Sequence, residues 1–232
     1  MDRIFENLKN VREKMSQAAL RSGRDPSAIR LVAVTKTLPA ETVRQGLAAG
    51  IKTIGENRVQ EAAEKYQAIG NAAEWHLIGH LQSNKAKKAV EIFSLIHSID
   101  SESIAREVGH RATEAGKVQN ILLEVNTSGE SQKYGISPEE ENVLKVVNEV
   151  KDLKGIKLLG LMTVGPLTDD LQPVRQAFRT LKDLFDRLGA ARIPGVEMKH
   201  LSMGMSGDFE TAIEEGSNMV RIGSAIFGPR AH

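Results

Sequence analysis

Along the chain, short runs of apolar and β-branched residues alternate with longer segments in which apolar residues recur every three or four positions. The short runs predict strands, and the periodic segments predict amphipathic helices. Strands are predicted at residues 30–35, 52–54, 75–78, 95–99, 119–125, 156–162, 197–201 and 219–222. Helices are predicted at residues 4–21, 40–49, 57–68, 84–91, 102–115, 138–151, 172–188 and 208–215. Strict alternation of strand and helix is typical of right-handed βαβ units.

Several predicted strands, such as residues 31–34 and 121–123, are apolar throughout, which is typical of a parallel sheet buried on both faces. Glycines at positions 50, 116 and 216 follow helical segments and precede strands, as residues that end helices do. The pattern predicts an α/β fold, a single-domain (β/α)8 TIM barrel over residues 1–232 with an extra N-terminal helix. A doubly wound open sheet is the alternative, because short strands are easily miscounted.

Charge and composition narrow the class of protein. Lys and Arg total 31 against 30 Asp and Glu, and this balance argues against a nucleic-acid partner. Cysteine is absent, which rules out disulfides and thiolate metal sites and favours a reducing, cytoplasmic location. The sequence begins without the apolar stretch of a secretory signal, and no apolar run approaches the ~18 residues of a membrane span. We therefore expect no membrane partner.

In a TIM barrel, functional groups lie at the C-terminal ends of the strands. The residues at those ends are Lys36, Glu56, Asn57, His80, Asp100, Asn126, Met162, Thr163, Ser202 and Arg221. Lys36 stands out because it directly follows a buried strand. A lysine partly removed from water has a lowered pKa and becomes a nucleophile toward carbonyl groups. The alternative is an ordinary solvated or ion-paired lysine.

Two segments rich in Gly and Ser, residues 201–208 and 220–225, follow the seventh and eighth strands. Barrels frequently bind phosphate with these two loops, and glycine lets backbone N–H groups approach the ligand. The alternative is a pair of tight turns that only cap the following helices.

A nucleophilic lysine beside a phosphate-binding loop fits either pyridoxal 5′-phosphate or the phosphorylated sugar of an aldolase. Arg221 favours the first, because pyridoxal-phosphate sites place an Asp or an Arg against the pyridine nitrogen. An internal salt bridge, for example with Glu56, is the other interpretation of Arg221. His76 and His80 have the spacing of helical zinc ligands, but they fall around a predicted strand, where that spacing does not converge on a metal. We therefore expect no metal site.

At this point several segments match a known family. They are residues 34–36, 55–61, 75–85, 124–126, 133–135, 160–163, 201–208 and 221–224. Together they resemble the pyridoxal phosphate homeostasis proteins, also called the proline-synthase co-transcribed family. The resemblance runs from about residue 30 to residue 228 and includes nearly every strand end. Each motif alone is weak, whereas the set is specific.

The resemblance implies a fold-type III barrel similar to the N-terminal domain of alanine racemase. It implies pyridoxal 5′-phosphate bound covalently as a Schiff base on Lys36, with Arg221 at the pyridine nitrogen and Asn57 and Met162 beside the ring. The implied phosphate contacts are Ser202, Ser206, Gly223 and Ser224.

The resemblance also implies a non-catalytic protein of vitamin B6 homeostasis that influences the balance of amino acids and keto acids and serves acceptor apo-enzymes. Racemases of this fold add a β-rich domain whose partner subunit supplies an acid/base group. Here the sequence ends at His232, and neither Tyr66 nor Tyr134 has the expected placement. We therefore expect a monomer without catalysis. The alternatives are a pyridoxal-phosphate-dependent racemase-like enzyme and a Schiff-base aldolase or plain phosphate-binding barrel.

Overall fold

The computed structural model describes residues 2–229, which fold around a closed barrel of eight parallel strands. Each strand pairs with the next one in sequence, and the eighth pairs with the first. The strands are β1 (Arg30–Val34), β2 (Thr53–Glu56), β3 (Glu74–Leu77), β4 (Leu95–Ile99), β5 (Gln119–Glu124), β6 (Ile156–Met162), β7 (Val196–Ser202) and β8 (Met219–Ile222). The predicted TIM barrel is confirmed, and closure of the sheet excludes the doubly wound alternative.

A helix follows each strand on the outside of the barrel, and one more helix precedes the first strand. The helices are α1 (Asp2–Arg21), α2 (Ala40–Ala48), α3 (Val59–Ile69), α4 (Ala86–Ile92), α5 (Glu102–Glu114), α6 (Glu140–Val150), α7 (Leu171–Ala190), α8 (Phe209–Glu214) and α9 (Ser224–Phe227). The predicted extra N-terminal helix is therefore present. Residues 1 and 230–232 of the predicted domain lie outside the described residues. In the part of the chain that the structure describes, no helix is long and apolar enough to cross a membrane.

Apolar residues form two layers, one on each side of the sheet. The larger layer fills the space between strands and helices and includes Leu77, Phe93 and Phe178. The smaller layer lies inside the barrel and consists of Val32, Leu95, Leu122, Leu159, Met162 and Met219. Because successive side chains of a strand point to opposite faces, a residue two positions after an inner residue also points inward. This alternation places a set of polar side chains inside the barrel above the apolar layer.

A network of ion pairs joins α8 to its neighbours. Glu215, directly after α8, binds Arg175 and Arg179 of α7 at 2.5 and 2.8 Å, while Glu214 binds Arg175 and Arg21 of α1. Partly exposed ion pairs contribute little singly, but a shared carboxylate couples two arginines.

Glu215→Gln is expected to lower the free energy of unfolding by about 1 kcal/mol, because both arginines lose one charged partner. Urea unfolding at low salt measures the loss, which should shrink at ~1 M salt because the charges are screened. Glu141→Gln, at an exposed position of α6, is the control. An unchanged stability in Glu215→Gln at low salt would contradict the role of the network.

Candidate functional site

Lys36 lies two residues beyond the end of β1 and is half-buried. The following residue, Thr37, adopts a φ of 63°, a left-handed conformation that is rare for a β-branched residue. Its backbone N–H donates to a carboxylate oxygen of Glu61 in α3 at 3.0 Å. Backbone strain of this kind persists only where surrounding contacts enforce it, and it is concentrated at functional sites. The turn after β1 therefore holds the Lys36 backbone in a fixed position.

The register between β1 and β8 brings the predicted residues together. Val32 pairs with Arg221 and Ala33 pairs with Ile222. Gly223 therefore follows β8 at the level of Val34, and the turn that carries Lys36 lies at the same end of the barrel. Lys36 and the predicted phosphate-binding loop therefore follow two neighbouring strands, β1 and β8.

The loops after β7 and β8 meet through hydrogen bonds to a serine. The Ser206 hydroxyl accepts from the backbone N–H groups of Gly223 and Ala225 at 3.2 and 3.3 Å. Gly204 has a φ of 98°, and a Cβ there would lie 2.5 Å from the Ala212 Cβ, so only glycine permits this path of the loop. Two backbone donors converging beside a hydroxyl are the groups that bind a phosphate oxygen. The donor of Ala225 was not predicted.

Arg221 is a buried cation inside the barrel, with 3% of its surface exposed. Its Nη1 donates to the Ser202 hydroxyl and its Nη2 to the Thr163 carbonyl, both at 2.7 Å. Burial lowers the pKa of its guanidinium to about 10. Within residues 2–229 it forms no ion pair, so the salt bridge with Glu56 considered from the sequence is wrong. A buried charge without a carboxylate partner is costly, and such groups are concentrated at functional sites.

Glu56 points away from this site and toward α3, where Lys65 is its partner. Its Oε1 accepts from the Lys65 Nζ at 2.7 Å and from the Thr35 hydroxyl at 2.6 Å. Lys65 also donates to the Thr35 carbonyl at 2.7 Å. Burial raises the pKa of Glu56 despite these contacts, and its Oε2 has no hydrogen-bond partner among the described residues. The cluster anchors the end of β1 directly before Lys36.

The remaining predicted ligands occupy different depths. Asn57 follows β2 and is half-buried; the backbone of Gly79 packs so closely on it that a Cβ at Gly79 would lie 2.5 Å from the Asn57 carbonyl oxygen. Met162 ends β6 and is fully buried in the inner apolar layer. Ser224 is exposed in the loop after β8.

Ser202 is completely buried, and its hydroxyl lies between Arg221 and His97. Its hydrogen-bonding partners therefore differ from those of Ser206, although the resemblance groups both serines with the phosphate. A contact of Ser202 with phosphate stays a prediction.

Glu124 is an inward-facing carboxyl. It belongs to the motif at residues 124–126, but no role was predicted for it from the sequence. It ends β5, pairs in register with Met162 and is 8% exposed. Burial raises its pKa to about 7; Arg221 opposes the rise and Asp100 adds to it. The barrel mouth therefore contains a carboxyl that titrates near neutral pH beside a buried arginine.

The two histidines considered as metal ligands separate in the structure. His76 is buried in β3, whereas the His80 ring stacks on Tyr134 at a centroid distance of 3.9 Å and lies 3.4 Å from Asp100. Tyr134 therefore reaches the barrel mouth, whereas Tyr66 lies in α3 and bonds Asn71. In the part of the chain that is described, no group of three His, Cys, Asp or Glu side chains is arranged to hold a metal ion.

The geometry defines a closed parallel barrel in which the turns after β1, β7 and β8 form the candidate ligand site. Residues 1–231 match the family model of the alanine racemase N-terminal domain. The pyridoxal phosphate homeostasis protein of Aquifex aeolicus is 43% identical over 228 residues, which cover 98% of each chain. The protein of that name from Escherichia coli K12 is 39% identical over 99% of this chain and 98% of its own. The chain therefore belongs to the alanine racemase N-terminal domain family, among its pyridoxal phosphate homeostasis proteins.

Solved structures agree with this assignment. PipY of Synechococcus elongatus PCC7942 with PLP bound is 34% identical, with a TM-score of 0.83 over 97% of this chain and all of that one. Alanine racemase of Clostridium difficile has a TM-score of 0.81 at 18% identity. It covers all of this chain but the chain covers only 58% of the racemase, so this likeness concerns the fold alone.

Proposed function

We propose that this protein binds pyridoxal 5′-phosphate reversibly as part of vitamin B6 homeostasis, with the cofactor linked to Lys36. The observation that carries the proposal is the convergence of three groups at neighbouring strand ends. They are Lys36, the Ser206 hydroxyl with the two backbone N–H groups that donate to it, and the buried Arg221. The naming of the relatives and the PLP bound to PipY support the choice of ligand.

The residues present fit the chemistry of the cofactor. The Lys36 ε-amine would condense with the 4′-aldehyde: a C=N bond forms and the aldehyde oxygen leaves as water. The loops after β7 and β8 offer neutral hydrogen-bond donors for the phosphate, with Ser206, Gly223 and Ser224 as proposed contacts. Arg221 has N–H groups beyond those used for Ser202 and Thr163, and one of them would donate to the pyridine nitrogen. Asn57 and Met162 would flank the ring. When bound, the cofactor supplies an electrophilic carbon and an electron-withdrawing ring.

We further propose that the protein carries the cofactor without catalysing a reaction on it. An arginine that donates to the pyridine nitrogen disfavours its protonation and weakens the ring as an electron sink. The half-buried position of Lys36 leaves the linkage accessible to water and to competing amines, which suits release to acceptor apo-enzymes in the cytosol more than protection of a reactive intermediate. We also propose that the protein is a monomer, which the molar mass from light scattering would test.

The test is covalent trapping of the cofactor. After incubation with pyridoxal 5′-phosphate, reduction with borohydride and digestion, peptide mass mapping should place one phosphopyridoxyl group on Lys36. Lys36→Arg keeps the positive charge but is too basic to condense, so the trapped label should disappear. Lys87→Arg, at an exposed position in α4, is the matched control and should label as the unmodified protein does.

The outcome that contradicts the linkage is a label that persists at another lysine in Lys36→Arg. Incubation of the loaded protein with single amino acids separates the carrier from the racemase-like alternative. A carrier should leave the enantiomeric composition unchanged over many equivalents, whereas steady racemisation that stops in Lys36→Arg would replace the carrier role by an enzymatic one.

A further inference from the structure

A continuous line of hydrogen bonds runs through the barrel from Arg221 to Glu74. Arg221 Nη1 lies 2.7 Å from the Ser202 Oγ, which lies 3.0 Å from His97 Nδ1. His97 Nε2 lies 3.0 Å from His76 Nδ1, and His76 Nε2 lies 3.0 Å from Glu74 Oε1. Four strands supply these residues, so folding of the whole barrel is needed to assemble the line. We call these five residues the barrel chain.

Four members of the barrel chain are completely or almost completely buried, and only Glu74 reaches the surface. Barrel interiors are normally filled by branched apolar side chains, so two adjacent buried histidines are unusual. Glu74 begins β3 at the opposite end of the barrel from Lys36, where it pairs with Arg30 and accepts from Ser94. It lines an open cavity of about 660 Å³ between α1 and the N-terminal ends of β1 and β2.

The donors and acceptors of the barrel chain can be assigned from its two ends. A guanidinium only donates, so the Ser202 oxygen accepts from Arg221. Among the described residues, the only acceptor within reach of the Ser202 hydroxyl proton is His97 Nδ1. His97 must then carry its proton on Nε2 and donate to His76 Nδ1, which leaves His76 with its own proton on Nε2. That proton meets the Glu74 carboxylate, an acceptor.

The reversed orientation fails at both ends. It would leave the Ser202 proton without an acceptor and direct a nitrogen lone pair of His76 at a carboxylate. The Glu74 carboxylate stays ionised because its hydrogen bond with His76 and the charge of Arg30 hold its pKa below its usual value against the opposing effect of burial. Every hydrogen bond of the barrel chain therefore points from Arg221 to Glu74.

Both histidines of the barrel chain are neutral. Burial lowers the pKa of His97 far below its usual value, and the positive charges of Arg221 and Arg30 lower it further. Burial also lowers the pKa of His76 more than the neighbouring Glu74 raises it. A neutral imidazole has one donor and one acceptor nitrogen, which is what a one-directional chain requires.

We propose that Ser202, His97, His76 and Glu74 are positioning residues that orient the Arg221 guanidinium toward the pyridine nitrogen. This inference rests on the proposed function for its ligand, but the tautomers are a property of the protein alone. Each hydrogen bond aligns the dipole of the next, so the negative end at Glu74 supports the positive end at Arg221. The barrel chain thereby connects the surface of the N-terminal face to the cofactor site.

The first test reads the tautomers in the protein without cofactor. Long-range ¹H–¹⁵N correlation spectra of histidine-labelled protein distinguish the two neutral tautomers from the cation. His76 and His97 should both carry the proton on Nε2 at neutral pH, and both should titrate below the range of an ordinary histidine. His76→Gln and His97→Gln assign the signals. A proton on Nδ1 of either ring, or a cationic ring at neutral pH, overturns the proposal even if pyridoxal phosphate binds normally.

The second test breaks the barrel chain beside Arg221 and uses a matched serine as the control. Ser202→Ala should weaken pyridoxal phosphate binding about tenfold, the effect of losing one hydrogen bond to a charged group, and shift the absorbance of the bound cofactor. It should also change the His97 tautomer signal. Ser98→Ala removes a hydroxyl equally buried in β4 that donates to the Gly79 carbonyl instead. It should leave the affinity, the absorbance and the His97 signal unchanged.

Equal effects of Ser202→Ala and Ser98→Ala on affinity and absorbance would mean that the barrel chain only satisfies buried polar groups, and would overturn the positioning role. If the unmodified protein takes up no pyridoxal phosphate, the proposed function fails together with that role, while the tautomer measurement still decides the direction of the hydrogen bonds.

Discussion

Replacement of Lys65 by methionine is expected to lower the free energy of unfolding by about 3–5 kcal/mol at neutral pH. The Lys65 ammonium is the only cation bonded to the Glu56 carboxylate among the described residues, and the two side chains are 10% and 0% exposed. Methionine fills a similar volume but leaves the carboxylate buried without a compensating charge. The Thr35 carbonyl also loses one of its two donors and keeps the backbone N–H of Leu38. Chemical denaturation of the unliganded protein measures the loss.

The pH dependence of this variant identifies the cause. The pKa of Glu56 is already raised in the folded protein because of burial, and without Lys65 it should rise further. A folded-state pKa above the unfolded value means that the folded state binds the extra proton, so stability falls as pH rises above the unfolded value of about 4.5. The loss in Lys65→Met should therefore be smaller near pH 5 than at pH 7.

The matched control replaces both partners. In Glu56→Leu/Lys65→Met no buried charge remains, and much of the stability should return because apolar replacement of a buried pair is often nearly neutral. A loss below about 1 kcal/mol in the single variant, or equal losses in single and double variants, would contradict the account. Because Thr35 directly precedes Lys36, the single variant should also loosen the turn that presents the proposed cofactor lysine.

Strand positions followed closely from the sequence because burial on both faces leaves long apolar runs. The predicted bounds 95–99, 156–162 and 219–222 are those observed. Predicted bounds were less accurate where a strand ends in polar residues. The second strand was predicted at residues 52–54, but β2 extends to Glu56 because that carboxylate bonds Lys65 and Thr35. No local sequence pattern encodes these contacts. The short helix α9 was missed because four residues carry too little periodicity to detect.

The site was only partly predictable for a similar reason. Lys36 and the glycine-rich loops carry local signals, since their position after buried strands follows from the fold. His97 carries none, because one histidine within an apolar strand resembles many structural histidines. Its partners Ser202 and His76 come from other strands, 105 and 21 residues away. Only the closed barrel brings them together. The fold likewise decides that Arg221 forms no ion pair with a carboxylate among the described residues.

At pH 8, unliganded Glu124→Gln is expected to have a free energy of unfolding about 3 kcal/mol above that of the unmodified protein. Near pH 5 the two proteins should have nearly the same stability. Burial raises the pKa of Glu124 to about 7, and one pKa unit corresponds to about 1.4 kcal/mol. The folded pKa lies above the unfolded value of about 4.5. Ionisation of Glu124 therefore lowers the free energy of unfolding as pH rises from about 4.5 through 7. Glutamine has nearly the same shape and does not titrate.

The comparison must be a difference between proteins, because burial also raises the pKa of Glu56 and of Asp208. Free energies of unfolding for Glu124→Gln and the unmodified protein should agree near pH 5 and diverge toward pH 8. The exposed Glu141→Gln should follow the unmodified protein at every pH. Parallel curves for Glu124→Gln would show that Glu124 is ionised throughout and would remove it as a neutral-pH titrating group.

The same titration bears on cofactor binding, because Glu124 lies inside the barrel whose mouth presents the proposed phosphate and pyridine contacts. Above pH 7 its carboxylate offsets part of the positive charge of Arg221, the cation whose charge lowers the pKa of Glu124. Pyridoxal phosphate is an anion, so its affinity should weaken as pH rises through 7. Glu124→Gln should weaken the dependence that comes from this carboxyl without removing the Lys36 linkage. A carrier with this carboxyl would bind its cofactor more tightly when protons are abundant and release it more readily when they are scarce.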